Sequence, residues 1–442
     1  MLGFSSEATE NKRIILKSFN FKVYYTTGGE KIANQIINQA ESNLETMENF
    51  LGTRLVEQID IFISEEVVLE VKNNPSKNGN IHLDNSSIYL SYSGNTSDLL
   101  ISLKEQLAEI LINGMLFGNT LKERLKNSRE INVPNWYVTG LANYVAGGKP
   151  PDVAWMADYY DGKLKLNLNL TEKKELDAFG HAIFIHIYDS FGINKLRQLL
   201  FYTKLSGKAE FAFEYVLNKS LNYVLADWYK MEKTKYLNDN KSRLPNDPEP
   251  LGKAVQTSDI IDIKFNKEST ELNFLIRTFT GIEIWNYGIG NRKTRKLFTY
   301  KTVKKDIIWA FLVLNDTCLL SMSNGINSKL FSIQDGRVIK TSKLEFSYIH
   351  SIKENPVSGL ALLCQKNFQI DIFQHDLSDR NKPKQITENE IEETDFAFDK
   401  SGSLYVSDYS NQEFRITESK NSKVLYHSNF PILELNNYKG NY

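Results

Sequence analysis

Two spacing patterns divide this chain. Up to about residue 237 apolar residues recur at helical intervals, and beyond about residue 257 they fall in short alternating runs. Leu99, Leu103, Leu107, Ile110 and Leu111 mark one amphipathic helix, on which Lys104, Glu105 and Glu109 take flanking or polar positions. Between the two regimes, Asn238 to Pro250 is polar and proline-rich, as a linker or domain edge is. The expected division is 1–237, a linker at 238–257, and 258–442.

The runs of the second part repeat. Ile261–Lys267, Phe311–Asp316, Ile349–Asn355 and Phe396–Gly402 recur at roughly forty to fifty residues. Each is followed by an apolar strand, such as Cys318–Ser321 or Leu360–Leu363, and a third comes next, for example Ile282–Trp285, Lys329–Ser332 or Ile370–Phe373. This period and strand count suit the blades of a β-propeller, and the units resemble TolB-like and WD40-like blades without their sharper motifs. Four blades are visible, and Phe430–Leu435 reads as the first strand of a fifth. Because closure is what removes edge strands, the expectation is an incomplete or truncated propeller within a longer protein. An open or irregular β-domain is the alternative.

Composition narrows the class. With 442 residues, 41% of them hydrophobic and 24% charged, the chain has material for two or three domains with real cores. Its 53 basic and 54 acidic residues nearly cancel, which removes any global electrostatic case for nucleic acid. The densest basic cluster, Arg292-Lys293-Thr294-Arg295-Lys296, falls where a solvated turn between strands is expected. Cys318 and Cys364 sit in apolar runs and read as buried thiols, too few and too far apart for a disulfide framework or a CxxC motif. No apolar stretch is long enough to span a bilayer, and Met1–Glu7 shows no secretion signal.

The chemistry-bearing candidates lie in Leu103–Leu111 and Pro134–Tyr144. A zincin helix carries H-E-x-x-H, two histidines one turn apart with a glutamate as general base. In the glutamate-zincin branch a downstream W-x-x-E-G-x-A supplies the third ligand. Here the first motif becomes Lys104-Glu105-Gln106-Leu107-Ala108, and the second keeps Trp136, Gly140 and Ala142 but has Thr139 at the ligand position. A Lys ammonium repels a divalent cation, Ala has no donor atom, and Thr is a poor neutral donor. With Phe21–Tyr25 and a helix through Ala33, Ala40 and Leu44 to Leu51-Gly52, with strands Ile59–Ile63 and Ile88–Leu90, and with Ala178–Gly192, residues 20 to 230 resemble the peptidase-MA-like family, a gluzincin relative. A generic amphipathic helix accounts for Leu99–Leu111 taken by itself.

The resulting fold class is an α+β zincin-like N-terminal domain followed by an all-β propeller-like domain. The resemblance implies a degenerate zinc site at Lys104, Glu105, Ala108 and Thr139, with no catalytic residue, metal or cofactor. It places Trp136, Tyr137 and Tyr144 near the floor of the ancestral groove, with Trp136 read as buried packing for the active-site helix and so a weak candidate. Combined with a propeller, it resembles large cell-envelope proteins of Bacteroidetes-type bacteria, and so implies a periplasmic or outer-membrane location with other envelope proteins as partners. The leading expectation is a non-catalytic scaffold. A peptide- or glycan-binding module and a hydrolase that does not use zinc, with Glu105 as base beside Tyr137 or Tyr144, remain as alternatives. His181 and His186 are five apart and do not share a helical face, and His82, His350, His375 and His427 are scattered.

Overall fold

The computed structural model describes residues 13–66, 87–147, 157–162, 173–242, 259–266, 269–278, 281–301, 307–314, 317–376, 382–388, 392–410, 413–420 and 422–428. The chain divides into two compact units. The first comprises Met1–Ser64, Val68–Leu90 and Asn95–Asn246, and the second Glu65–Val67, Ser91–Gly94 and Asp247–Tyr442.

The first unit opens with β1 (Ile14–Lys17), β2 (Phe21–Tyr25), α1 (Glu30–Leu51), β3 (Ile59–Ser64) and β4 (Ser87–Ser91). The four strands form one sheet in the order β1-β2-β3-β4, with β1 antiparallel to β2 and β2 parallel to β3. Strict alternation sends Phe21, Val23, Ile59, Ile61, Ile88 and Leu90 to the core. The opposite face carries a cross-strand ladder of Tyr24, Phe62 and Tyr89, with ring centroids 4.7 and 5.1 Å apart. Helix α1 packs on β2 and ends at Gly52, whose left-handed φ of 71° lets its N–H reach the carbonyl of Glu48.

Helices follow: α2 (Thr96–Phe117), α3 (Leu121–Glu130), α4 (Asn135–Val145), α5 (Ala157–Tyr160), α6 (Lys173–Phe191), α7 (Ile193–Ser206), α8 (Ala209–Leu217) and α9 (Leu221–Ser242). Asn95 caps α2 by accepting the Asp98 N–H, and Thr120 with Glu123 forms a capping box on α3. From Ile110 to Gly114 every residue of α2 is buried, so α2 is central and packs against α1, α3, α4 and α7. The last helix runs on to Ser242, five residues into the stretch expected to be a linker. Residues 243–258 lie outside the described residues.

Among the described residues the second unit shows four meanders. They are β5 (Asp259–Phe265) to β8 (Lys293–Lys301) through β6 (Glu271–Thr278) and β7 (Gly281–Gly288); β9 (Ile307–Leu314), β10 (Thr317–Ser323), β11 (Ser328–Gln334) and β12 (Arg337–Leu344); β13 (Tyr348–Asn355), β14 (Gly359–Lys366), β15 (Gln369–His375) and β16 (Lys384–Gln385); and β17 (Glu392–Phe398), β18 (Leu404–Ser410), β19 (Glu413–Glu418) and β20 (Lys423–Ser428). Each sheet has four strands in sequence order, every neighbour pair antiparallel. The first strands of successive sheets lie side by side, β5 on β9, β9 on β13 and β13 on β17, as blades around an axis require.

Three cores separate the four blades. Leu320 faces the core shared with the first blade and its neighbour Leu319 the core shared with the third, while Leu362 and Leu363 divide the same way between the second and fourth. Strands buried on both faces read as continuous apolar runs, which is why Cys318-Leu319-Leu320 and Leu360–Cys364 stand out in the sequence. A register shift interrupts the first strand pair of every blade, and on β13 the inserted residue is His350. Such bulges tighten twist and re-aim a side chain.

The fourth strands are polar edges. Lys293, Lys296, Arg337, Lys340 and Lys343 are exposed on β8 and β12, where charge discourages pairing with another sheet. The basic cluster expected in a turn therefore corrects to a strand: only Arg292 is in the turn, and Lys293–Lys296 begin β8. Cys318 and Cys364 are free, buried thiols in successive inter-blade cores. The strand expected at Phe430–Leu435 and His82 lie outside the described residues.

Candidate functional site

Helices α2, α4 and α6 bring the sequence candidates into one region of the first unit. Helix α4 packs on both α2 and α6, and its approach to α6 is set by glycine. A β-carbon on Gly140 would fall inside the Gly180 backbone, and one on Gly180 would meet the carbonyl of Trp136 and, at 2.8 Å, the Cα of Gly140. Two helices meet backbone to backbone there, which no other residue pair permits.

On α2, Lys104 and Glu105 are half-buried and Ala108 is fully buried. Thr139 on α4 is half-buried. The residue between them in the pentad, Gln106, has a definite structural task. Its Oε1 accepts the Tyr89 N–H at 3.2 Å and its Nε2 donates to the Tyr89 carbonyl at 3.0 Å and to Ser102 Oγ at 3.1 Å. Since β4 ends the sheet, the amide occupies backbone groups that an added strand would use.

The three aromatic candidates separate by burial. Trp136 is 2% and Tyr137 0% exposed, both packed against Phe184 at 6.0 and 5.3 Å between ring centroids. The Tyr137 hydroxyl lies 3.0 Å from that of Thr203, and burial pushes its pKa far up despite this bond. These two rings are core, not groove floor. Tyr144 is half-buried, 5.8 Å from the exposed ring of Tyr188 and 6.5 Å from His181. Burial, with Tyr188 and Asp189 nearby, pushes its pKa up to about 12, so the phenol is a donor and not a base at neutral pH.

Both histidines of α6 are buried and held below their ordinary pKa by desolvation. His186 Nδ1 lies 3.4 Å from Ser190 Oγ, and its Nε2 lies 3.6 Å from Asp227 Oδ2 on α9. The second distance exceeds hydrogen-bond reach, so Asp227 acts on the ring as a charge and does not orient it as a relay would. Among the described residues no three His, Cys, Asp or Glu side chains gather closely enough to hold a metal ion. A small recess open to solvent is lined by Arg54, Val56, Ile110, Leu111 and Arg124, without the pentad ligand positions or Thr139.

Sequence reasoning missed a second feature, in the second unit. Glu65 Oε1 accepts the Phe368 N–H at 2.9 Å and Gln365 Nε2 at 2.8 Å, while the Glu65 carbonyl accepts the Tyr348 hydroxyl at 2.6 Å. Gln365 Nε2 also donates to the Tyr92 carbonyl, so its Oε1 must face His350 Nε2, 3.1 Å away. That fixes the neutral histidine with its proton on Nε2. Phe368 holds a left-handed φ of 64° in the β14–β15 turn, stacked on Tyr92 at 5.8 Å. No local pattern ties residue 65 to residue 368, and the positive φ on a Phe is invisible in composition.

No helix among the described residues is long and apolar enough to cross a membrane. No family model and no curated protein matches the chain. Among solved structures it is similar to a protein of unknown function from Bacteroides caccae at 12% identity and TM-score 0.28, over 39% of this chain and 62% of that one. It is also similar to TolB from Acinetobacter baumannii at 11% identity and TM-score 0.31, over 38% and 43% of the two chains. A third is the β-propeller domain of Myceliophteria thermophila Cps50 (Swd1), at 12% identity and TM-score 0.29, over 39% and 56%. The chain spans less than two thirds of each. At these scores the likenesses carry no argument, and the strand order and inter-blade cores assign the second unit: among the described residues it holds four consecutive blades of propeller type.

Proposed function

We propose that this chain is a non-catalytic binding subunit of a bacterial cell-envelope assembly, with an α+β unit descended from a gluzincin-type peptidase and a propeller as a second rigid surface. The observation that carries the reading is the use made of the pentad on α2. Where a zincin would hold metal, Ala108 is sealed in the core, and the intervening Gln106, at no ligand position, is spent on the backbone of Tyr89. Lys104 and Thr139 add no anionic or imidazole donor. Glu105 would then be a base without a Lewis acid to work beside.

A periplasmic or outer-membrane location and envelope partners belong to the same proposal and rest on the sequence resemblance. Proximity labelling from the chain in intact cells tests them: enrichment of envelope proteins is expected, and enrichment of cytoplasmic ones opposes the location. Incubation with a mixed peptide library in excess zinc tests the catalytic part. No cleavage is expected, and cleavage lost in Glu105→Gln would overturn it. A groove-binding reading draws on Tyr144 beside exposed Tyr188. Gln106 counts against a peptide added as a strand at Tyr89, so that reading is narrowed to ligands held by the tyrosine pair.

A further inference from the structure

Helices α7 and α8 leave an apolar face open on the first unit. Helix α7 buries Leu196, Leu199, Leu200 and Thr203, and α8 buries Ala209, Ala212, Phe213, Val216 and Leu217. At about 100° per residue, Phe201 and Leu205 then centre the outer face of α7, and Phe211 and Tyr215 that of α8. They are 48%, 64%, 54% and 70% exposed. Gly207 makes the short connection, with φ 71° and its Cα against the Glu130 carbonyl, where a β-carbon would come within 2.6 Å. Lys195 Nζ donates to the Val216 carbonyl at 2.9 Å, and the rings of Tyr202 and Tyr215 lie 4.4 Å apart. The helices are thus an antiparallel hairpin whose two apolar ridges adjoin.

Charge borders the ridges asymmetrically. The same rotation puts exposed Lys204 on the side of α7 away from α8, near Glu123, and exposed Glu210 and Glu214 on the side of α8 away from α7. From one rim to the other the surface therefore runs cation, four large apolar side chains with Lys208 Nζ 5.4 Å from the Phe211 ring centroid, two carboxylates. An aromatic centre with a charged rim is the anatomy of a protein interface, and four such residues so exposed on one face are uncommon on a monomer.

We propose that this face pairs with the same face of a second copy in a twofold homodimer. The occupant follows from the order of the charges. A twofold axis lying in the face and parallel to the helices sets α7 over α8 of the partner subunit. Lys204 then stands opposite Glu210 and Glu214 of the partner subunit, and the apolar ridges close on each other. An anionic lipid surface would meet the two carboxylates as like charges, so the pattern fits a copy of itself better than a membrane. The inference rests on this surface alone and stands or falls apart from the non-catalytic reading.

Light scattering on the full chain over a concentration series tests it, with circular dichroism as the check on folding. A dimer is expected, and Phe211→Asp and Tyr215→Asp are expected to leave a folded monomer. Lys204→Glu alone, and Glu210→Lys with Glu214→Lys, should each weaken association by about tenfold or more, and the three together should restore it. The rescue separates an intermolecular pairing from loss of the local charge interaction with Glu123. A monomer up to about 100 μM, a dimer indifferent to Phe211→Asp, charge reversals that do not rescue one another, or binding of monomer to anionic vesicles through this face would each overturn the proposal.

Discussion

Gly140 and Gly180 hold α4 and α6 in backbone contact, and every candidate on α4 is positioned by that crossing. With the helices this close, Trp136 and Tyr137 are driven into the core beside Phe184, and Thr139 and Tyr144 keep partial exposure.

Gly140→Ala and Gly180→Ala should each destabilise the chain by about 2–4 kcal/mol, because each methyl enters backbone that cannot yield. An ordinary helical Gly→Ala change stabilises by about 1 kcal/mol, so the sign discriminates. Urea denaturation gives the answer, and a stabilised variant would mean the helices are not in contact at this pair.

Gln106→Ala should cost about 1–3 kcal/mol by releasing both backbone groups of Tyr89. Hydrogen exchange localises the effect: faster exchange at the Tyr89 amide is expected, with α1 unaffected. Unchanged exchange at Tyr89 would show that the amide does not close this edge.

Cys318 and Cys364 should be inert to aromatic disulfide reagents in the native protein. Burial pushes the first up to about 11 and the second well above an ordinary thiol, so almost no thiolate exists at neutral pH. Labelling should follow the rate of unfolding measured by fluorescence. Rapid stoichiometric labelling would mean that the inter-blade cores open locally.

Acid should weaken the second unit before its carboxylates protonate. Burial lowers the pKa of His350 to about 4, against a Gln365 contact that opposes the shift, and it lowers His375 as well. A lowered folded pKa means that the unfolded chain takes up the proton first, so stability is full above about pH 6.5 and falls as pH drops toward 4. For His350, part-exposed, the loss is about 2 kcal/mol. His350→Gln should flatten the profile of thermal midpoint against pH in that window, and an unchanged slope would assign the loss to other groups.

The repeat of the second unit was legible because its inner strands are buried on both faces, as Cys318–Leu320 and Leu360–Cys364 show. Its fourth strands were not, since Lys293–Lys301 and Arg337–Leu344 are solvated edges whose composition is that of loops. The helix carrying Leu103–Leu111 also stood out by periodicity, and Trp136–Ala142 by its likeness to a family motif. Periodicity does not separate a buried aromatic from one lining a groove: Trp136 reads as packing and is core, whereas Tyr137 reads as a weak binding candidate and is core as well, closed off by Phe184 and Thr203. Contacts far apart in sequence, Gly140 with Gly180 and Glu65 with Phe368, leave no mark on local pattern.

The central claim is that the α2–α4 region no longer holds catalytic zinc. Elemental analysis of the full chain, equilibrated with zinc and freed of excess by gel filtration, tests it most directly. The account predicts far less than one zinc per chain, unchanged in Glu105→Gln and Thr139→Ala. One zinc per chain, lost when either residue is replaced, would contradict it.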